Sequence, residues 1–557
     1  MKTKTKLILA LFFTFSFLAI KGNAQFTISN AALKNDSLYL NNINTLFDDE
    51  NIMGFDIQKG YQDYQVPKGS GISSIYSSSL WIGGIDAGGH LRVAGQTYKQ
   101  NGTDFWPGPL DTANATEDTT EAKNWNNIWS LRKTEIDSFI NWSANHSIYP
   151  GYVIPQAIAT WPGNGNTAKG ESKQLAPFFD NNGNGIYEPN QGDYPIIRGD
   201  QALFYICNDS LNSHSQRETG GRALGIEMHV MPYIYHCIDV DSALWNTVFI
   251  HFDIYNRSSN QYDSTYIGVF TDDEIGCGNN DYVGCDSTLN SFFGYNGEPI
   301  DHNCVSGELP YGVNPPAQST TFLNMPMTHF QYYNNDFTVT GNPTIPSEYY
   351  NYMRSIWKDS THVTYGGNGH LSSSQKSNYM YPSDPNDTSV GSWSEVSDHN
   401  PFGDRRGVGS AGPITLLPHS RISFDIAYVF GIANPTGNYL NCIVDMNNRI
   451  KTIEYDFQHD STPCNEIFTN GVNEINPPNL QVSIFPNPAN DKINIVYNAG
   501  TGTVNYNILN VLGQSISHGA FGNSSNNQLD VSKLPAGIYF LKLIRNNNVV
   551  VGKFVKE

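Results

Sequence analysis

The run Trp245-Asn-Thr-Val-Phe-Ile-His-Phe-Asp-Ile-Tyr255 decides the fold class. Trp245, Thr247, Phe249, His251, Asp253 and Tyr255 fall on one side of an extended chain and the intervening residues on the other, the period of a strand. Leu224, Ile226, Met228, Val230 and Pro232 alternate in the same way upstream, and residues 266–270 and 422–430 are further strand patterns. Residues 71–82 form another, with 91–98 as its returning partner through the Gly88-Gly89 turn. One apolar and one polar face per strand predicts paired antiparallel sheets with one solvated face, a mainly β sandwich body. One helix is expected near 121–143, capped at Thr119-Thr120. There Trp125, Ile128, Trp129, Arg132, Ile136, Phe139 and Ile140 recur at three- and four-residue steps. That stripe suits packing against a sheet better than a sugar platform.

The composition agrees. At 557 residues the chain is too long for one core. It carries 50 Gly, 32 Tyr and 29 Phe with only 15% charged residues, which suits short strands joined by turns and excludes a disordered acidic chain. A net charge of -20 without a Lys/Arg cluster excludes nucleic acid as the main partner.

Lys2, Lys4 and Lys6, the apolar run 7–20 and the small residues Gly22-Asn-Ala24 read as a signal peptide, 1–24, with Gln25 first in the mature chain. The run is too short to span a bilayer as a helix, and no later stretch is long enough, so no transmembrane segment is expected. Removing four lysines (Lys2, Lys4, Lys6, Lys21) takes the charge from -20 to -24. From Val472 onward six Lys or Arg oppose four acids, net +2, which leaves -26 for residues 25–471. That shift marks a boundary. The expected organisation is an N-terminal β-rich region at 25–200, a β-sandwich body with an acidic loop at 201–471, a linker at 472–481, and a small Ig-like antiparallel sandwich at 482–557.

The terminal segments resemble the C-terminal sorting domain of the type IX (Por) secretion system of Bacteroidota. The resemblance rests on Ser483-Ile-Phe-Pro-Asn-Pro-Ala489, Asn510-Val-Leu-Gly-Gln514, Leu534-Pro-Ala-Gly-Ile-Tyr539 and Gly552-Lys-Phe-Val-Lys556, four spaced motifs in order. It implies outer-membrane translocation by the type IX translocon, removal of the tail by a sorting peptidase, and either release or attachment to surface lipopolysaccharide. The body resembles large secreted or surface proteins that carry this tail, through Leu80-Trp-Ile-Gly-Gly-Ile-Asp-Ala-Gly-Gly89, Thr103-Asp-Phe-Trp-Pro-Gly-Pro109, Gly192-Asp-Tyr-Pro195 and the 272–286 loop. That second resemblance implies no activity.

Two acidic segments in the long insertions 156–200 and 272–330 are the candidate sites, and both point to calcium. In Asp180-Asn-Asn-Gly-Asn-Gly-Ile-Tyr-Glu-Pro-Asn-Gln191 the side chains of Asp180, Asn182 and Asn184 occupy positions one, three and five of a calcium loop. Gly185 supplies the turn, Ile186 a carbonyl and Glu188 position nine. Gln191 stands where a bidentate acid is usual, and Asp193 is the substitute. The alternative is an Asn-Gly turn cluster held by side-chain hydrogen bonds. Asp272-Asp-Glu-Ile-Gly-Cys-Gly-Asn-Asn-Asp-Tyr-Val-Gly-Cys-Asp286 holds five carboxylates that repel unless a cation neutralises them. Asp272, Asp281 and Asp286 are the preferred ligands. Asp273 and Glu274 rank lower because neighbouring side chains on extended backbone diverge. A solvated acidic loop is the alternative.

Seven cysteines fit an exported chain. Cys277–Cys285, Cys442–Cys464 and Cys207–Cys237 are plausible pairs, with Cys304 able to replace either loop cysteine. His229 and His236 fall on opposite faces of a regular strand and make no metal pair. Arg198-Gly-Asp200 reads as a turn. Neither a metalloprotease, a nucleophile-elbow nor a P-loop motif occurs. Two functions remain: a non-enzymatic adhesive or structural surface protein with calcium-stabilised loops, or a secreted hydrolase of polysaccharide or protein. Facing carboxylates with exposed Trp in a cleft would favour the second.

Overall fold

The computed structural model describes residues 33–211, 218–237, 242–305, 307–432, 436–459, 482–497, 504–510, 515–521, 526–545 and 548–556. The expected signal peptide, the 472–481 linker and Cys464 lie outside these. The chain divides into two compact units, Met1–Phe468 and Thr469–Glu557.

The first unit contains β1 (Ile75–Asp86), β2 (Leu91–Ala94), β3 (Trp106–Pro107), α1 (Thr119–Trp125), β4 (Trp129–Arg132), α2 (Lys133–Ala144), β5 (Gln201–Asn208), β6 (Ile226–Ile234) and β7 (Thr247–Asn256). It continues through β8 (Tyr262–Asp273), β9 (Asp281–Asp286), β10 (Ser291–Asn296), β11 (Ala317–Phe322), β12 (His329–Asn334), α3 (Pro346–Tyr352), β13 (Arg405–Leu416), β14 (Arg421–Gly431) and α4 (Asn441–Gln458). A nine-stranded sheet runs β9-β10-β11-β14-β7-β6-β5-β3, with β4 also on β5. A five-stranded sheet runs β12-β13-β8-β1-β2. The alternating strands read from the sequence take these central places, and β1 and β2 pair as expected, Ile85 opposite Leu91.

The sheets face one another across a core that joins Leu80, Ile82, Ile267 and Val269 of one to Tyr205, Val230, Ile254 and Phe424 of the other. Glycines let them approach. A Cβ on Gly409 would lie 2.6 Å from the Phe292 ring and one on Gly407 2.8 Å from it, so the ring of β10 lies directly on the backbone of β13. Phe292 also stacks on Phe330 at 5.0 Å.

The solvated face expected of each sheet is covered in the nine-stranded one. Every residue of β5 and β6 is buried. Ile443, Met446, Ile450, Ile453 and Phe457 of α4, with Ile136 and Phe139 of α2, pack on Phe204, Met231, Tyr233, Phe249 and Val429. The single helix expected at 121–143 is two helices split by a strand. Trp129–Arg132 pairs with Gln201–Phe204, and the Trp129 indole N–H donates to the Thr160 carbonyl at 2.8 Å. Edge pairing outcompetes helical periodicity here. The cap of α1 is Asp118, which accepts from the Thr120 and Glu121 amides. Arg198 of the Arg-Gly-Asp turn is buried beside Asp425. His229 bonds Glu227 at 2.7 Å, and His236 bonds the Leu40 carbonyl.

The second unit is a small antiparallel sandwich, as expected. Strands β15 (Val482–Phe485), β16 (Lys492–Tyr497) and β19 (Asn526–Asp530) form one sheet. Strands β18 (Ser515–Phe521), β17 (Val504–Asn510), β20 (Gly537–Arg545) and β21 (Asn548–Lys556) form the other. Ile493, Ile495, Ile508, Leu541, Leu543 and Phe554 fill its core.

Gly409→Ala tests the seam between the body's sheets. Overpacking against Phe292 should lower stability by about 1–3 kcal/mol. Gly151→Ala, whose added Cβ meets nothing within 4 Å, should stay within about 0.5 kcal/mol. Urea midpoints of the two variants give the comparison.

Candidate cation-binding site

The 180–193 segment closes into a ring of side-chain-to-backbone bonds. Asp180 Oδ1 accepts from the Gly183 amide at 2.7 Å and Oδ2 from the Gly185 amide at 2.6 Å. Asn182 accepts from the Asn184 amide and Asn184 from the Ile186 amide. The Asn184 amide group donates to Glu188 at 2.6 Å. Asp193 is fully buried and accepts from the Asn181 and Glu188 amides at 2.8 and 2.7 Å, tying the end of the loop to its start. Against the upward pull of burial, the amides of Gly185, Gly183 and Asn184 hold the Asp180 carboxyl below the usual range. Both readings of this segment, calcium loop and turn cluster, share this geometry.

The 272–286 segment is different. Asp272 and Asp273 end β8, and the ladder to β1 slips between them: Asp272 lies opposite Ser77, but Asp273 opposite Ile75. A regular strand would send the two carboxylates to opposite faces. That holds here: the Asp272 carboxylate meets Arg406, while the Asp273 side chain lies against Gly294 of β10, between the sheets. Both residues still line one cavity of about 230 Å³, together with Glu274, Glu308, Asp404, Arg406 and the phenols of Tyr76 and Tyr98. Five carboxylates therefore share one guanidinium.

Arg406 pairs with two of them, Asp272 closely and Asp404 at 3.8 Å. Its Nε donates to Asp272 Oδ2 at 3.0 Å, and its Nη1 to Asn335 and Asn342 at 2.8 and 2.6 Å. Its Nη2 reaches the Tyr98 hydroxyl at 3.1 Å. The neighbouring Arg405 serves Glu395 at 3.0 Å and is unavailable to the cavity. Asp273 has no such help. It is 2% exposed, and neither carboxylate oxygen has a hydrogen-bond partner. Burial pushes the Asp272 carboxyl up to about 7 even against Arg406. Burial and then Asp272 push Asp273 well above the carboxylate range, and burial, Asp272 and Glu308 do the same to Glu274. A carboxylate in this position either holds a proton or takes a cation.

Of the three preferred ligands, Asp272 lies on the cavity. Asp281 is buried behind it, accepts from the Ile275 amide at 3.1 Å, and its Oδ1 has no partner. Asp286 stands five residues further along β9, about 16 Å away at the rise of a strand, and caps the turn at Thr288 instead. Among the described residues, the three His, Cys, Asp or Glu ligand atoms found within 4.8 Å of one another belong to Cys277, Asp301 and Cys304. Those two sulfurs are bonded to each other. Glu308, Asp404, Arg406 and the two tyrosines come from distant elements, and only the local charge of Asp404-Arg-Arg406 could have hinted at them.

The expected Cys277–Cys285 staple is replaced by Cys277–Cys304. Cys285 belongs to β9, is buried, and donates to the Met380 carbonyl. Strand pairing turns it inward, away from the loop. Cys207 and Cys442 are free and buried, so neither forms its expected pair; Cys237 is disulfide-bonded. The Cys277–Cys304 bond precedes Gly278 on one wall of the cavity and Val305 on the other, so it clamps the two walls.

Residues 483–557 match the secretion system C-terminal sorting domain family. The tail is a type IX sorting domain. The protein is thus secreted or held at the cell surface. Among the described residues no helix is long and apolar enough to cross a membrane. No curated protein matches the chain. Among solved structures, a polysaccharide lyase aligns over 66% of this chain and 37% of its own, at 8% identity and a TM-score of 0.19. The BSP domain of a biofilm associated protein aligns over 64% and 59%, at 9% identity and a TM-score of 0.13. The chain thus spans little more than a third of the lyase's length and under two thirds of the other's, and neither score carries an argument about fold or activity.

The clamp makes a prediction. Cys304→Ser opens a loop of sequence separation 27 and should lower stability by about 3–4 kcal/mol on the loop-entropy account. Non-reducing peptide maps should recover Cys277 with Cys304, and Cys285 as a free thiol.

Proposed function

We propose that the body is a non-enzymatic adhesive or structural module of the cell surface, with loops stabilised by calcium. The observation that carries this reading is Asp273: a buried carboxylate with two unpartnered oxygens, on a cavity where acids outnumber cations five to one. Oxygen ligands with neither His nor thiolate among them suit a hard cation. Asp273 would hold it, with Asp272, Glu274 and Asp281 supplying further negative charge nearby rather than a gathered ligand set. Asp180, Asn182, Asn184, Glu188 and the Ile186 carbonyl would hold a second ion in the exposed loop, with Asp193 bracing it. Trp81, Trp106, Trp357 and Trp393 are fully buried, so none of these four offers a saccharide platform, which supports the non-enzymatic reading. The sorting tail would be removed by the peptidase, leaving the body released or attached to surface lipopolysaccharide.

A chelator should lower the melting temperature of the secreted body by several degrees, and calcium should restore it. Binding to the folded state alone contributes about 2.7 kcal/mol at a hundredfold excess over Kd. Magnesium should restore it poorly, since it demands a tighter octahedron. Asp273→Asn should lose most of the calcium response yet melt higher than wild type in chelator, because it removes a carboxyl that must be protonated to stay buried without a cation. A melt indifferent to both chelator and calcium would sink the reading.

A further inference from the structure

A second set of buried acids lies in the N-terminal segment, far in sequence from both loops. Asp48-Asp-Glu50 forms a tight turn, with Leu46-Phe47 before it and, after Asn51, Ile52-Met53. All three acids are buried, at 3%, 0% and 1% exposure. Asp48 Oδ1 closes the turn by accepting from the Glu50 and Ile52 amides at 3.0 and 2.9 Å. Met53 then exchanges two backbone hydrogen bonds of 2.9 Å with Ser78 of β1. The turn is thereby fixed against the five-stranded sheet.

Three oxygens in this turn have no hydrogen-bond partner: Asp48 Oδ2 and both oxygens of Asp49. The strongest charged neighbours of Asp49 are Glu50, Asp48 and Lys99, in that order. Lys99 pairs with Glu50. Three carboxylates against one ammonium leave a formal charge of -2 in the interior, the charge a divalent cation cancels. The nearby thiol offers no soft alternative, because burial and then the Asp49 charge push Cys207 well above its usual range and keep it neutral.

We infer that the Asp48–Glu50 turn is a buried site for a hard divalent cation of the calcium class, held by the free oxygens of Asp48 and Asp49. Glu50 stays paired with Lys99. The site is separate from both acidic loops. Its role is to lock the segment around residues 44–53 onto β1 by a charge that neither Lys99 nor solvent supplies.

Calcium counting by native mass spectrometry of the secreted protein tests this. It is done in an Asp180→Asn/Asp273→Asn background, so that neither loop contributes. That background should still carry one calcium, and adding Asp49→Asn should remove it. Lys99→Met provides a check if Asp49→Asn fails to fold. It frees Glu50 and removes a like charge, so calcium should bind about tenfold tighter, and calcium should rescue the variant's melt. If the background carries no calcium, or Asp49→Asn keeps it, the inference is wrong. It is equally wrong if Lys99→Met melts lower without tighter calcium binding, since the acids are then neutralised by protons and lysine alone. Loss of the loop ions with retention of this one would separate it from the preceding proposal.

Discussion

The contact of the Phe292 ring with the backbone of Gly407 and Gly409 sets the spacing of the two sheets, and much else is positioned by it. Arg405 and Arg406 immediately precede that contact on β13. Because the strand is held flat against the ring, the two guanidiniums are delivered at fixed places, one to Glu395 and one to Asp272. Each buried ion pair thus depends on a packing contact one or two residues away. The seam also fixes the end of β8, which pairs with β13 through Asp272 and Arg406. The acidic loop therefore leaves from a rigid edge.

What the seam does not supply is a cation for Asp273 or for Asp49. An unpaired buried carboxylate is costly enough that it must neutralise. Both residues sit beside other acids, so protonating one leaves the rest, whereas a single divalent ion serves several carboxylates at once. On the proposed reading the ions join separate parts of the chain. One braces the cavity walls already clamped by Cys277–Cys304, and the other pins the N-terminal turn to β1.

The strands were legible because their side chains alternate, and β6, β7 and β14 carry that alternation clearly. Their second buried face was less legible. Helix α4 has its own signal in Cys442, Ile443, Met446, Ile450, Ile453 and Phe457 at three- and four-residue steps, and without it the sheet reads as half solvated. The stripe at 125–140 misled, since its middle pairs with β5, a contact with no local trace. In the acidic loop the divergence of Asp272 and Asp273 along the strand was legible, but the burial of Asp273 against β10 without a hydrogen-bond partner was not. Arg406 and the Cys304 half of the disulfide arrive from far along the chain. The Asp48–Glu50 turn was readable in principle, as three consecutive acids and Asn51 between the apolar pairs Leu46-Phe47 and Ile52-Met53.

The central claim is that unpartnered buried carboxylates mark cation positions. Crystals of the secreted protein grown in calcium, with anomalous diffraction collected at a long wavelength, test it most directly. The account predicts anomalous density within coordination distance of the Asp273 carboxylate and of the Asp49 carboxylate, each peak surrounded by oxygens. Featureless anomalous maps at both residues, with protonated acids hydrogen-bonded to ordinary waters or to each other, would contradict it.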